Sequence, residues 1–132
     1  MTTKFRFNTN QSVPQVYARI RGKHGSQRIR LVFDTGAFMT QIATSVIEEL
    51  GYSARDGIRR ITAYGPSGPI DEGYSVEISG LEVLNMQFKK MEIAVYDFNN
   101  LEAEGIAGLL GFDVIKQLHL EMNGPKGELI IF

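Results

Sequence analysis

Residues 13–33, VPQVYARIRGKHGSQRIRLVF, constrain the fold more than any other part of this chain. Val16, Ala18 and Ile20 alternate with polar or amphipathic neighbours, the period of a strand with one buried face. GKHGS supplies turn residues. QRIRLVF is then a second strand that ends in three apolar residues. Two such strands around a short turn make an antiparallel hairpin. The rest of the chain has the same character. RRITAYGPSGPIDEGYSVEIS carries β-type segments on both sides of Gly65-Pro66-Ser67-Gly68, a hairpin with a Gly/Pro-rich tip. LEVLNMQFKKMEIAVYDF adds strands, with Met91, Ile93 and Val95 in alternation. HLEM and ELIIF flank the turn NGPKG.

Helix signals are few. In TQIATSVIEELGY, Ser45 and Glu48 have capping-box spacing, and Gly51 stands where a helix would stop. Residues 113–118 suit a brief helix after Gly111. NNLEAEG reads as a polar connection. The expectation is one mainly-β domain over residues 1–132, with two short helices.

Composition removes several classes of function. No cysteine is present, which excludes a disulfide scaffold, thiol catalysis and thiolate zinc sites. His24 and His119 lie far apart without metal-type spacing, so neither a metal nor another cofactor is expected. The net charge is −1, and no basic stripe stands out along the chain, so no nucleic-acid partner is expected. No apolar run approaches a membrane span, and MTTKFRFNTNQSVP lacks the apolar core of a signal peptide. The expected location is cytoplasmic, away from membranes.

One acid stands apart. In LVFDTGA, Asp34 follows an apolar strand and precedes small residues. A rigid element therefore delivers the carboxylate. Thr35 can donate its hydroxyl, Gly36 allows close backbone approach, and Ala37 is too small to block a substrate. The bland reading is a turn aspartate that caps a strand-to-helix connection.

Four features together resemble the retropepsin-like, single-lobe aspartic proteases: LVFDTGA; the helix ending in LGY; the glycine-rich hairpin TAYGPSG; and GLLGFDVIK. The resemblance runs from about Val16 to the C-terminus. It implies a closed, barrel-like acid-protease lobe with a flap hairpin. Asp34 would be catalytic, and Thr35, Gly36 and Ala37 would form its supporting loop. Thr35 would bond across a dimer, and Gly36 would offer its backbone to the carboxylates or the substrate. Tyr64, Gly65, Pro66, Ser67 and Gly68 would form the flap over a peptide or protein substrate, with Tyr64 the residue singled out for contact. Hydrolysis by carboxylates needs two of them, one ionised and one protonated. Two carboxylates ~3 Å apart repel by roughly 5 kcal/mol at an effective dielectric near 20, so the pair retains one proton. The chain has a single DTG. Asp56 lies in a polar loop, Asp71 lies beside the flap, and Asp97 and Asp113 lack the strand–turn context. The partner carboxylate is therefore expected from Asp34 of a second copy, in a homodimer with an isologous interface. Ala37 stands where pepsin-type lobes have a serine. With that hydroxyl donor missing, the expected working pH is less acidic than pepsin's.

Two other readings bear on the same residues. DTGA loosely resembles the phosphate loops of sugar kinases, but those need two large domains, and this chain has no phosphate-binding GxxxxGK[ST]. The same lobe could also serve as a non-catalytic dimerisation or peptide-binding module, because fold alone does not settle function.

Overall fold

A computed structural model describes residues 2–132, except for the side chains of Ile70 and Asp71. The expected hairpin is β2 (Gln15–Gly22) and β3 (Gly25–Phe33), closed by Lys23-His24 with Gly22 opposite Gly25. Val16, Ala18 and Ile20 are buried while Tyr17, Arg19 and Arg21 are exposed, as the alternation requires. The second hairpin is β5 (Arg60–Gly65) and β6 (Gly68–Ile78), with Pro66-Ser67 at its tip. Further strands are β4 (Gln41–Ala43), β7 (Gly80–Val83), β8 (Met86–Phe88), β9 (Met91–Tyr96) and β10 (Gly108–Leu110). These nine form one sheet in the order β5-β6-β9-β4-β10-β3-β2-β7-β8.

That order refines the expected closed barrel. Among the described residues β5 and β8 remain free edges, so no strand pairing closes the ring. The sheet curls around a core of Ile20, Leu31, Ile42, Ile47, Val76, Ile93 and Leu110. β9 does not alternate simply. Ile93 and Val95 join the main core, while Ala94 and Tyr96 pack with Met39 and Ile61 in a second cluster. A central strand covered on both faces loses the two-residue period.

A separate three-stranded sheet has the order β1-β12-β11, made of β1 (Thr3–Arg6), β11 (Leu120–Asn123) and β12 (Glu128–Ile131). Thr3 pairs with Ile131 and Phe5 with Leu129 in the same chain. Glu128–Ile131 is thus covered mainly within its own chain: Leu129 is fully buried, Phe5 and Phe7 pack against the core, and Phe132 remains half-exposed.

The helices differ most from expectation. α1 (Thr44–Glu49) is present, but Ala43 is its N-cap and no side chain caps it. Ser45 instead donates to Glu102 Oε1 at 2.7 Å. The capping box is at the 3-10 turn Ala54–Asp56, between Ser53 and Asp56. Gly51 does end α1, with φ of +95°. The Tyr52 N–H donates to the Ile47 carbonyl and the Gly51 N–H to the Glu48 carbonyl, the paired bonds of a Schellman stop. NNLEAEG is no simple connection, because Asn99–Ala103 form α2. Arg30 Nη2 donates to the Glu104 carbonyl at 2.6 Å, and Ser45 holds Glu102. Tertiary contacts therefore hold a helix too short to persist alone. The last helix, α3, spans Phe112–Ile115.

Candidate active site

The loop from Asp34 to Thr40 joins two strands that are not neighbours. β10 lies between them, parallel to β3 and antiparallel to β4. The loop must therefore arch across the end of β10, and the GLLG segment explains how it can. A side chain at Gly108 would place its Cβ 1.9 Å from the Gln41 carbonyl oxygen, and Gly108 has φ of +153°. A Cβ at Gly111 would lie 2.4 Å from the Met39 carbonyl carbon. Both glycines are required by backbone approach rather than by a turn.

Each part of the loop is tied down. The Phe33 N–H donates to the Pro14 carbonyl at 2.9 Å, and the Asp34 N–H donates to the Leu110 carbonyl at 3.0 Å. The Gly36 N–H donates to Asp34 Oδ1 at 2.8 Å. The Phe112 N–H donates to the Ala37 carbonyl at 2.6 Å. The far end is held by an acid outside the expected site. Asp113 accepts from the Thr40 N–H on Oδ2 at 3.0 Å, and on Oδ1 from the Thr40 hydroxyl at 2.9 Å and the Val114 N–H at 3.0 Å. The Thr40 hydroxyl in turn accepts from the Gly111 N–H at 3.1 Å, and Thr40 is fully buried. The usable signal was an acid in the first turn of a helix after GLLG, paired with a threonine six residues beyond the DTG aspartate.

The expected site residues fall into two groups. Asp34 is half-buried, Thr35 and Gly36 are exposed, and Ala37 is turned inward and buried. The exposed side chain after the triplet is Phe38, at 60 %. Phe112, joined to Ala37 through its backbone, is 46 % exposed. One exposed aromatic ring thus belongs to the aspartate loop and a second to the residue bonded to it. The second group is the tip of the β5–β6 hairpin. Gly65 pairs with Gly68, a bulge falls between Ala63 and Tyr64, and Tyr64 is 71 % exposed. The base of this hairpin is fixed to the aspartate loop, since Ile61 and Ala63 belong to the cluster around Met39. The Asp71 side chain lies outside the described residues. His24 sits in the β2–β3 turn, and His119 stacks on Phe132 at 4.8 Å. Among the described residues no group of acids and histidines could hold a metal ion, and no helix is long and apolar enough to cross a membrane.

This arrangement presents one carboxylate on a rigid loop, oriented by a backbone amide and open to a ligand. It has the parts of half an acid–base pair. A retropepsin-like aspartic protease from Rickettsia conorii shares the fold with a TM-score of 0.64 at 15 % identity, covering 99 % of this chain and 89 % of that one. The EIAV protease, solved with the inhibitor HBY-793, gives 0.56 at 18 % identity, covering 81 % and 88 %. No curated protein matches by sequence. The family model described as aspartyl protease matches residues 16–114. That span includes the aspartate loop, the β5–β6 hairpin and GLLG, and the chain belongs to the aspartyl protease family.

Proposed function

We propose that this chain is an aspartic endopeptidase that works as a homodimer, with Asp34 of each copy at one shared site. The observation that carries the reading is the anchoring of Asp34. Its backbone is bonded to β10, its Oδ1 accepts from Gly36, and the carboxylate is still partly open. Asp113, the acid bonded to the far end of the same loop, already has both oxygens engaged by Thr40 and Val114. A second copy supplies the second carboxylate on a two-fold axis. One of the pair is ionised and takes a proton from water. The other is protonated and donates to the carbonyl oxygen of the scissile bond. No covalent intermediate and no cofactor is needed.

In this reading the partner covers the surface around Asp34. Two Asp34 carboxylates can meet only if the residues around them face the other copy. Phe38 and Phe112 are exposed rings in that position. Their burial between copies is favourable, at about 25 cal/mol per Å² of apolar surface. Interleaved termini are not needed to cover Leu129 and Ile131, which β1 and the core already bury. Thr35 bonds across the axis in this reading. The flap, with Tyr64, Gly65, Pro66, Ser67 and Gly68, closes over a bound peptide and excludes water.

The test is cleavage of a mixed peptide library from acidic to neutral pH, comparing wild type with Asp34→Asn, alongside sedimentation of the particle. Wild type should cleave and the variant should not, with a dimer as the active species. Equal cleavage by both removes the enzyme reading and leaves a peptide-binding or dimerisation module. A strict monomer at high concentration leaves Asp34 without its partner.

A further inference from the structure

The sheet assembles a cationic face that cannot be seen along the chain. On the outer side of β2 and β3, Arg19 stands directly opposite Arg28, and both are exposed. Like charges in that position are unfavourable. Arg21 is the next outward residue on β2, and Lys89 and Lys90 follow β8. Two adjoining hollows of about 400 and 410 Å³ lie on this face and share Arg19, Glu82 and Gln87. The first also reaches Tyr17 and Arg28, and the second reaches Arg21, Lys89 and Lys90. Five cations against one acid, Glu82, give a local charge of +4. The chain's net charge is −1, so the remainder carries −5. Among the described residues none of the five cations lies within 4.0 Å of a carboxylate. The acids are not short in number; they are elsewhere.

We infer that this face is an exosite that captures an acidic, extended segment of a protein, and, given the protease reading, that the segment belongs to the substrate. Three features select that occupant. Arg19, Glu82 and Gln87 stand side by side on β2, β7 and β8, so an extended peptide lying over this face meets the arginines directly. Alternate carboxylates on such a strand are spaced by ~6.6–6.8 Å, the same period that separates Arg19 from Arg21 on β2. Single-stranded nucleic acid fits less well, because it needs open aromatic faces for its bases. Of the aromatic rings that line the two hollows, Phe5 and Phe88 pack against the core, and the Arg28 guanidinium already lies over the exposed Tyr17 at 3.6 Å. The face is also separate from the catalytic loop. Arg28 precedes Asp34 by six residues of mostly extended strand, about 20 Å.

The experiment uses the full chain with Asp34→Asn, so that binding is read without cleavage. A fluorescent peptide alternating glutamate and threonine is titrated against it, with its glutamine counterpart and short oligothymidylate as comparators. The acidic peptide should bind, weaken about tenfold or more in Arg19→Glu/Arg21→Glu, and weaken with added salt. The glutamine peptide should not bind. On the Asp34 background the charge-reversed variant should keep its turnover of a short neutral peptide, because these residues are far from the loop. Absence of turnover in the wild-type chain bears on the protease reading alone, and loss of turnover only in the charge-reversed chain counts against a separate exosite. No binding of the acidic peptide, equal binding by the charge-reversed chain, or tighter binding of oligothymidylate overturns the exosite as stated.

Discussion

Asp113→Asn isolates what holds the aspartate loop closed. The carboxylate has two acceptor oxygens and serves three donors: the Thr40 N–H, the Thr40 hydroxyl and the Val114 N–H. An amide of the same shape has one acceptor. With its nitrogen toward the Thr40 N–H, donor faces donor at a fully buried residue. With the amide reversed, its nitrogen faces the Thr40 hydroxyl, which already accepts from Gly111. The hydroxyl proton then lacks its acceptor, while Val114 N–H keeps a contact to the Gly111 carbonyl at 3.2 Å. Either orientation strands a buried donor, at a cost of about 1–3 kcal/mol, and the charge-assisted character of the remaining bonds is lost as well. The expected destabilisation is about 2–3 kcal/mol. Unfolding entropy of roughly 2.1 cal/mol/K per residue makes each kcal/mol worth about 3.6 °C in a chain of 132 residues. Calorimetry at one fixed protein concentration should therefore show Tm lowered by about 7–11 °C. Thr40→Val should cost less in the Asp113→Asn background than in wild type, because the partners are coupled. A variant that melts within about 2 °C of wild type, or strict additivity of the two changes, would refute the network as the clamp on this loop.

Two further perturbations probe the scaffold and its charge. Gly111→Ala places a Cβ 2.4 Å from the Met39 backbone; an overpacking this close to main chain should cost about 3 kcal/mol or more, read as a large loss of Tm or of folded yield, whereas Gly124→Ala, where a Cβ meets nothing within 4 Å, should be nearly neutral. The Ser75 hydroxyl donates to Glu92 Oε2 at 2.6 Å, and Arg59 pairs with the same carboxylate at 2.8 Å. The Ser75 bond first, and Arg59 with it, hold Glu92 below its ordinary value of 4.5. A lowered carboxylate stabilises the fold above its unfolded value, and that contribution is lost as the pH falls through 4.5 and below. The Tm gap between wild type and Ser75→Ala should therefore narrow as the pH drops through that window, and a gap that stays constant would contradict the assignment.

Much of this protein was legible in one dimension wherever a local pattern has one geometric solution. Val16, Ala18 and Ile20 could face inward only as a strand. Lys23-His24 and Pro66-Ser67 could only be hairpin tips, and Gly51 could only end α1. Local chemistry misled where a distant partner outbid it. Ser45 looked like a cap but reaches Glu102, 57 residues away. Asn99–Ala103 is helical because Arg30 and Ser45 hold its acidic end. Asp113 looked ordinary until the sheet brought it to Thr40, 73 residues distant.

Period and turn chemistry act over a few residues, and they suffice for a mainly-β chain with one aspartate at the end of a buried strand. How that aspartate is held was left to the fold. It placed β10 between β3 and β4, made Gly108 and Gly111 necessary, and put Asp113 beneath the loop. It also gathered the arginines of β2 and β3 onto one face. Those outcomes depend on which strands lie side by side, and strand order follows from burying a shared core rather than from any local run of residues.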